Sequence, residues 1–341
     1  MFDIITIGST TFDNFVLIDA ETMFWDRVPS KRALVFPFGE KVEIKKIIYS
    51  IGGNSANAAI TFARQNLKTA CLAKIGKDIY GDFILKNLKK ERINIKYIIQ
   101  DNSKETAYSI ILLQKGERTI LSYHGASNYL QNNDLKNLNQ FKSKWWYVSL
   151  AGESYKIFQK IVNFAYQNKI ALAFNPSGYH LMKDKNTILK NLSKISVLIL
   201  NEEEASILMN IKWQKEKEIF KKLDKLMPGI LIITKGRDGA MVSDNRFIYR
   251  SGIFKEKKLV DRTGAGDAYG SGFVASLILQ NIDFYNFKNI TEQNILHAIN
   301  FATANSTSVV EFIGATTGIL KLNDFKKSVR FKDLKIQVEK I

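Results

Sequence analysis

The stretch Asp261-Arg262-Thr263-Gly264-Ala265-Gly266-Asp267 holds the residue types and spacing with the most chemical content. Small residues at 264, 265 and 266 let the backbone bend sharply and approach a ligand closely. A helical pattern starts immediately afterwards, through Ala268-Tyr269-Gly270-Ser271-Gly272-Phe273-Val274. The first amides of a helix have no internal partner, and the helix dipole adds positive potential there. A glycine-rich turn feeding a helix start is therefore an anion hole suited to phosphate. Asp267 falls in the first turn, where a carboxylate can cap the helix. Beside an anion hole it can also accept the proton of a substrate hydroxyl while the hole stabilises charge on a phosphoryl group. Phosphoryl transfer rests mainly on such positioning and charge stabilisation.

Other candidates depend on the elements that position them. Short apolar runs at about 146–150, 170–174, 197–200 and 230–234 alternate with amphipathic stretches such as Phe158, Ile161, Val162 and Ala165. That alternation predicts a parallel sheet covered on both faces, hence an α/β, doubly wound fold. Ligands of such sheets bind beyond the carboxyl ends of the strands. Asp13, Asn175, Asn201 and Thr234 fall at those positions, where ordinary turn residues are also found. Asn201 and Glu204 are spaced as an N-cap and its capping-box glutamate. The run Ile4 to Gly8 reads as a first buried strand, and Gly52-Gly53-Asn54-Ser55 as a loop opening a helix with Ala56, Ala59, Ile60 and Ala63 on one face. Residues 20–50 read as irregular up to an alternating segment at Val42 to Ile48, and 106–123 as a hairpin turning at Lys115-Gly116-Glu117. These early segments do not fit the alternating pattern and predict a small β-rich subdomain over the core.

Composition narrows the classes. The 341 residues suffice for one large α/β domain. A single cysteine, Cys71, permits no intramolecular disulfide or cysteine-built metal site and fits a reducing cytoplasm. The N-terminus lacks the basic and apolar regions of a signal peptide, and no run of about 18 apolar residues predicts a membrane span. The net charge of +17 is spread along the chain, and its densest stretch, Gln214 to Lys225, also contains Glu216, Glu218 and Asp224. Attraction of anionic substrates explains it better than a nucleic-acid partner. The histidines 124, 180 and 297 fit no metal spacing. His124, before Gly125-Ala126-Ser127, is a candidate substrate contact, whereas His297, Cys71, Trp145 and Trp146 read as packing residues. Walker A, Rossmann Gly-x-Gly-x-x-Gly and protein-kinase His-Arg-Asp motifs are all absent.

The segment Asp261 to Asp267 resembles the C-terminal signature of the ribokinase-like (PfkB-type) carbohydrate kinases. Gly52 to Ala59 resembles their N-terminal signature, followed by Lys74-Ile75-Gly76-Lys77-Asp78-Ile79-Tyr80-Gly81-Asp82 in the same style. The resemblance runs from Ile4 to about Leu320. It implies a Rossmann-like, mostly parallel sheet with a small β-sheet lid: one kinase domain over 1–325, lid segments at about 14–50 and 95–125, and a C-terminal surface segment at 326–341. It implies ATP and Mg²⁺, a sugar or nucleoside substrate, and a homodimer through the lid. Asp267 matches the catalytic base, and Gly264, Ala265 and Gly266 the anion hole. Asp13, Gly53 and Asn57 match substrate-binding positions. Asn201 and Glu204 match the element that organises Mg²⁺, usually through water, and the ATP phosphates. Thr234, Gly236 and Gly239 match the phosphate-holding loop, and Asn305 is a candidate contact to the base. Asp261, Thr263 and the loop near Gly314 occupy the region where some members bind a monovalent cation such as K⁺. Three features depart from the pattern. Arg262 stands for a small residue, to contact phosphate or point to solvent. Arg64-Gln65-Asn66 stands for Arg-Leu-Gly, with Asn66 able to take the left-handed cap. Residues 20–50 are longer and more aromatic, which would suit a nucleoside base. A sugar phosphate is a third acceptor class, given the positive charge.

Overall fold

A computed structural model describes residues 1–19, 21–25, 28–114, 117–282 and 289–341, with the side chains of 21–25 and 28–32 excepted. The strands are β1 (Phe2–Gly8), β2 (Thr11–Ile18), β3 (Glu21–Trp25), β4 (Val28–Val35), β5 (Ile44–Gly52), β6 (Thr69–Leu72), β7 (Lys74–Gly76), β8 (Ile99–Asp101), β9 (Tyr108–Gln114), β10 (Glu117–Tyr123), β11 (Ser143–Ser149), β12 (Ala171–Phe174), β13 (Val197–Asn201), β14 (Ile230–Thr234), β15 (Ala240–Ser243), β16 (Phe247–Ser251) and β17 (Ile336–Lys340). The helices are α1 (Asn54–Arg64), α2 (Ile79–Lys90), α3 (Phe158–Gln167), α4 (Gly178–Asn191), α5 (Glu202–Met209), α6 (Glu216–Leu226), α7 (Ala265–Leu279), α8 (Glu292–Val309) and α9 (Leu322–Lys327).

The fully apolar strands form a parallel sheet because both faces are covered. Its order is β17-β16-β15-β14-β13-β12-β11-β1-β6, with the last six parallel and β15, β16 and β17 added antiparallel. Alternate residues feed two cores. Ile5, Trp146, Leu172, Leu198 and Leu231 pack under α3 to α6, and Ile4, Tyr147, Ala173, Ile199 and Ile232 pack under α7 and α8. Asn66 takes the left-handed conformation after α1, with φ 61°. The chain leaves β1 for β6 on one side and returns through β11 on the other. A crevice therefore opens where Gly8 and Ser149 end paired strands, as at the switch points of other open α/β sheets.

A second sheet, β10-β9-β2-β5, forms apart from the first. Ser122 of β10 lies opposite Ser109 of β9, so both face one side. The turn expected at Lys115 and Gly116 lies outside the described residues. The stretch read as irregular contains a hairpin, because β3 pairs antiparallel with β4. The aromatic side chains expected there to suit a base include Phe24 and Trp25, which also lie outside the described side chains. At the C-terminus, Phe331 is buried against Phe254 and β17 extends the main sheet, so residues 326–341 do more than cover the surface. Among the described residues no helix is long and apolar enough to cross a membrane.

Candidate active site

Two helix starts converge on the crevice. Helix α1 begins after Gly53, whose φ of 87° and closeness to Ser9, 2.7 Å from an added Cβ to the carbonyl oxygen, allow no side chain. Helix α7 begins after Gly264, with φ 77°, where an added Cβ would lie 2.5 Å from that of Ala315. Glycine supplies no capping side chain, so the first amides of α7 have no side-chain cap. Asp267 does not cap its own helix. Its Oδ2 accepts from Asn57 Nδ2 of α1 at 2.9 Å, and one turn on Ser271 donates to Thr61 at 2.9 Å. Burial pushes the Asp267 carboxyl up to about 6, while the bond from Asn57 pulls it down.

The start of α7 separates two clefts. The first, of about 320 Å³, takes in Gly264 and Asp267 together with Asp13, Gly53, Asn57, Thr263 and His124. Asp13 is only 6% exposed. Burial pushes its carboxyl up to about 7, opposed by the Ser109 hydroxyl and reinforced by the charge of Asp261. The second cleft, of about 220 Å³, takes in Ala265 and Gly266 together with Thr234, Gly236, Gly239 and Arg262. Arg262 is thus in the wall of this cleft. The start of α7 thus lies between a cleft with the carboxylates of Asp13 and Asp267 and a cleft with Arg237, Arg262 and Glu256.

The remaining candidates sort by geometry. Asn201 Oδ1 accepts from the Glu204 amide and Glu204 Oε2 from the Asn201 amide, each at 2.8 Å. This reciprocal capping box uses the Asn201 side chain, and neither residue lines either cleft. Burial pushes the Glu204 carboxyl up to about 7 against the bond from Asn201, with Asp267 and Glu203 adding negative charge nearby. One oxygen of Glu204 lies outside the cap. A half-buried carboxylate with a spare oxygen near Asp267 suits a hydrated Mg²⁺, which takes few carboxylates and keeps its waters. Asp261 is 1% exposed, and it accepts from Thr263 N and Oγ1 on Oδ1 and from Gly314 N on Oδ2. It clasps two loops together.

Asn305 requires a correction. It is fully buried, its Nδ2 donates to Ala268 O at 2.9 Å, and its Oδ1 accepts from Leu320 N at 2.9 Å. Both ends of the amide are committed to backbone, so it braces α8 against α7 and contacts neither cleft. The residues that reach the second cleft from this side are Thr303, Ser306 and Thr307 of α8 and Val310 just past its end. Asn175 donates to Ile199 O at 3.0 Å and also lies outside both clefts. His297 Nδ1 pairs with Ser276 Oγ at 3.0 Å, and Cys71, Trp145 and Trp146 are buried. Sequence reading missed Ser109, Ser122 and Ser177 as cleft residues. Only the pairing of Ser109 with Ser122 had a signal, in the strand alternation.

Residues 13–322 match the family model described as pfkB family carbohydrate kinase. An ATP-dependent 6-phosphofructokinase from Thermoanaerobacterium thermosaccharolyticum is 26% identical over 309 residues, covering 87% of this chain and 90% of that protein. A ribokinase from Staphylococcus aureus is 25% identical over 327 residues, covering 94% and 97%. The structure of Arabidopsis thaliana ribokinase complexed with ribose and ATP superposes with a TM-score of 0.75 at 18% identity, covering 96% of this chain and 98% of that one.

Proposed function

The chain belongs to the pfkB family of carbohydrate kinases, phosphotransferases of sugar or nucleoside hydroxyls, and we propose that it transfers the γ-phosphoryl group of ATP to a sugar hydroxyl. The observation that carries this reading is Asp267 in the first turn of α7, with a cleft on either side of the uncapped helix start. The acceptor would occupy the cleft of Asp13, Gly53 and Asn57. The triphosphate would occupy the cleft of Thr234, Gly236 and Gly239, beside Arg237 and Arg262. Asp267 takes the hydroxyl proton, the acceptor oxygen bonds to the γ-phosphorus, and the bond to the β–γ bridging oxygen breaks to release ADP. The amides of Ala265 and Gly266 stabilise the charge on the phosphoryl oxygens. Glu204 would hold Mg²⁺ through water, and the ion would neutralise phosphate charge.

A nucleoside acceptor is the second reading, favoured by Ile111, Ile120 and Leu150 in the acceptor cleft, which could cover a base. A homodimer through the small sheet is supported by exposed Ile44, Ile47 and Tyr49 on β5 and Ile120, Leu121 and Tyr123 on β10. The lone cysteine, which is buried, supports a cytoplasmic setting. Coupled ADP release from Mg²⁺-ATP, measured across sugars and nucleosides, tests the reading. Turnover with a sugar supports it, turnover with nucleosides alone selects the second reading, and silence in protein that binds no ATP overturns both.

A further inference from the structure

Charge is divided unevenly between the two clefts. The nucleotide-side cleft contains Arg237, Arg262 and one carboxylate, Glu256, and neither guanidinium is engaged by a hydrogen bond or ion pair among the described residues. The acceptor-side cleft contains no lysine or arginine among its described lining residues. Its ionisable groups are Asp13, Asp267, Tyr123 and His124, and Tyr123 already donates to Glu105 at 2.6 Å. The remaining polar wall is built from serine, threonine and asparagine side chains such as Ser109, Ser122, Asn128 and Ser177. Asn57 Oδ1 is buried in this wall with no hydrogen-bond partner among the described residues.

We infer that the acceptor is an uncharged polyol and that the cleft rejects acceptors already carrying a phosphate. This rests on the phosphotransferase reading and narrows it. Carboxylates and side-chain amides and hydroxyls match the donors and acceptors of a polyol. A phosphate dianion in the same space would face two carboxylates and find no guanidinium or ammonium among the described residues to pair with, and uncompensated charge of one sign is strongly disfavoured away from bulk water. The +17 net charge does not relieve this, because no lysine or arginine is among the described residues of the cleft wall. The inference separates this chain from its 6-phosphofructokinase relative, whose name specifies a phosphorylated acceptor.

The test is ADP release with matched pairs: fructose and fructose 6-phosphate, ribose and ribose 5-phosphate, adenosine and AMP. For the productive pair, kcat/KM of the neutral member is expected to exceed that of the phosphorylated one by about 100-fold or more, two tenfold steps of about 1.4 kcal/mol each. Ser122→Lys adds a cation at an exposed position of the wall and is expected to narrow the ratio at least tenfold by raising the phosphorylated member. A phosphorylated acceptor turned over as well as its neutral partner would overturn the inference and leave the phosphotransferase reading intact. Silence with every acceptor, in protein that binds ATP, would overturn both.

Discussion

Asn57→Ala should move the pH profile of catalysis in a defined direction. In the wild type, Asn57 Nδ2 donates to Asp267 Oδ2 at 2.9 Å, and the carboxyl is held at about 6. The bond favours the charged form, so its loss raises the pKa further. A hydrogen bond to a charged group contributes about 1.5–3 kcal/mol, and one pKa unit corresponds to about 1.36 kcal/mol, which gives a rise of about one to two units. The base would then titrate at about 7–8. At pH 7 the ionised fraction drops from about nine-tenths to between about one-half and one-tenth, so kcat/KM falls about two- to tenfold through this effect. At pH 9 the deficit should largely disappear. Any loss of substrate binding lowers kcat/KM by the same factor at every pH, so the position of the acid limb isolates the effect. Coupled ADP release from pH 5 to 9.5 reads it. An acid limb unmoved from that of the wild type would refute the reasoning.

Three further outcomes follow from buried groups. His180 is fully buried among Tyr155, Phe158 and Phe174 with both ring nitrogens unpartnered, and burial pushes its pKa from 6.5 down to about 4. The unfolded chain binds this proton more readily, so the group destabilises the fold as pH falls below 6.5. His180→Phe should therefore lose about 2 kcal/mol less stability than the wild type between pH 7.5 and 5, as read by denaturant titration. Asn305→Ala leaves Ala268 O and Leu320 N without their partners, at about 1–3 kcal/mol each. Stability should drop by about 2–6 kcal/mol on the same principle, with KM for ATP essentially unchanged; a large rise in KM without destabilisation would restore Asn305 as a base contact. Gly264→Ala forces a side chain into φ 77° and against Ala315. Distortion of the anion hole should lower kcat by about 10²–10³-fold, measured with saturating ATP.

The parallel sheet was legible in the sequence because strands buried on both faces, such as Ile230–Thr234, are apolar until their last residue. The turn that opens α7 was legible because φ 77° at Gly264 demands glycine and leaves a local trace. Asn305 was misread for the opposite reason. Whether a helical asparagine faces a cleft or a neighbouring helix depends on the rotation of α8 against α7, which is set by packing between distant segments. The hairpin β3–β4 was missed because Pro29 lies inside it and proline argues against strand. The capping role available to Asp267 gave way to the bond from Asn57, a contact across 210 residues of sequence that no local pattern encodes. Charge asymmetry between the clefts has the same origin, since each wall is assembled from distant strands and loops.

Asp267→Asn keeps the shape of the site, retains an amide where the carboxylate lies, and removes only the base. Turnover of the preferred acceptor and ATP affinity, measured on the same preparation, test the assignment most directly. The expected result is a kcat lower by about 10²–10⁴-fold with ATP binding within a few-fold of the wild type. Turnover within tenfold of the wild type would contradict Asp267 as the base.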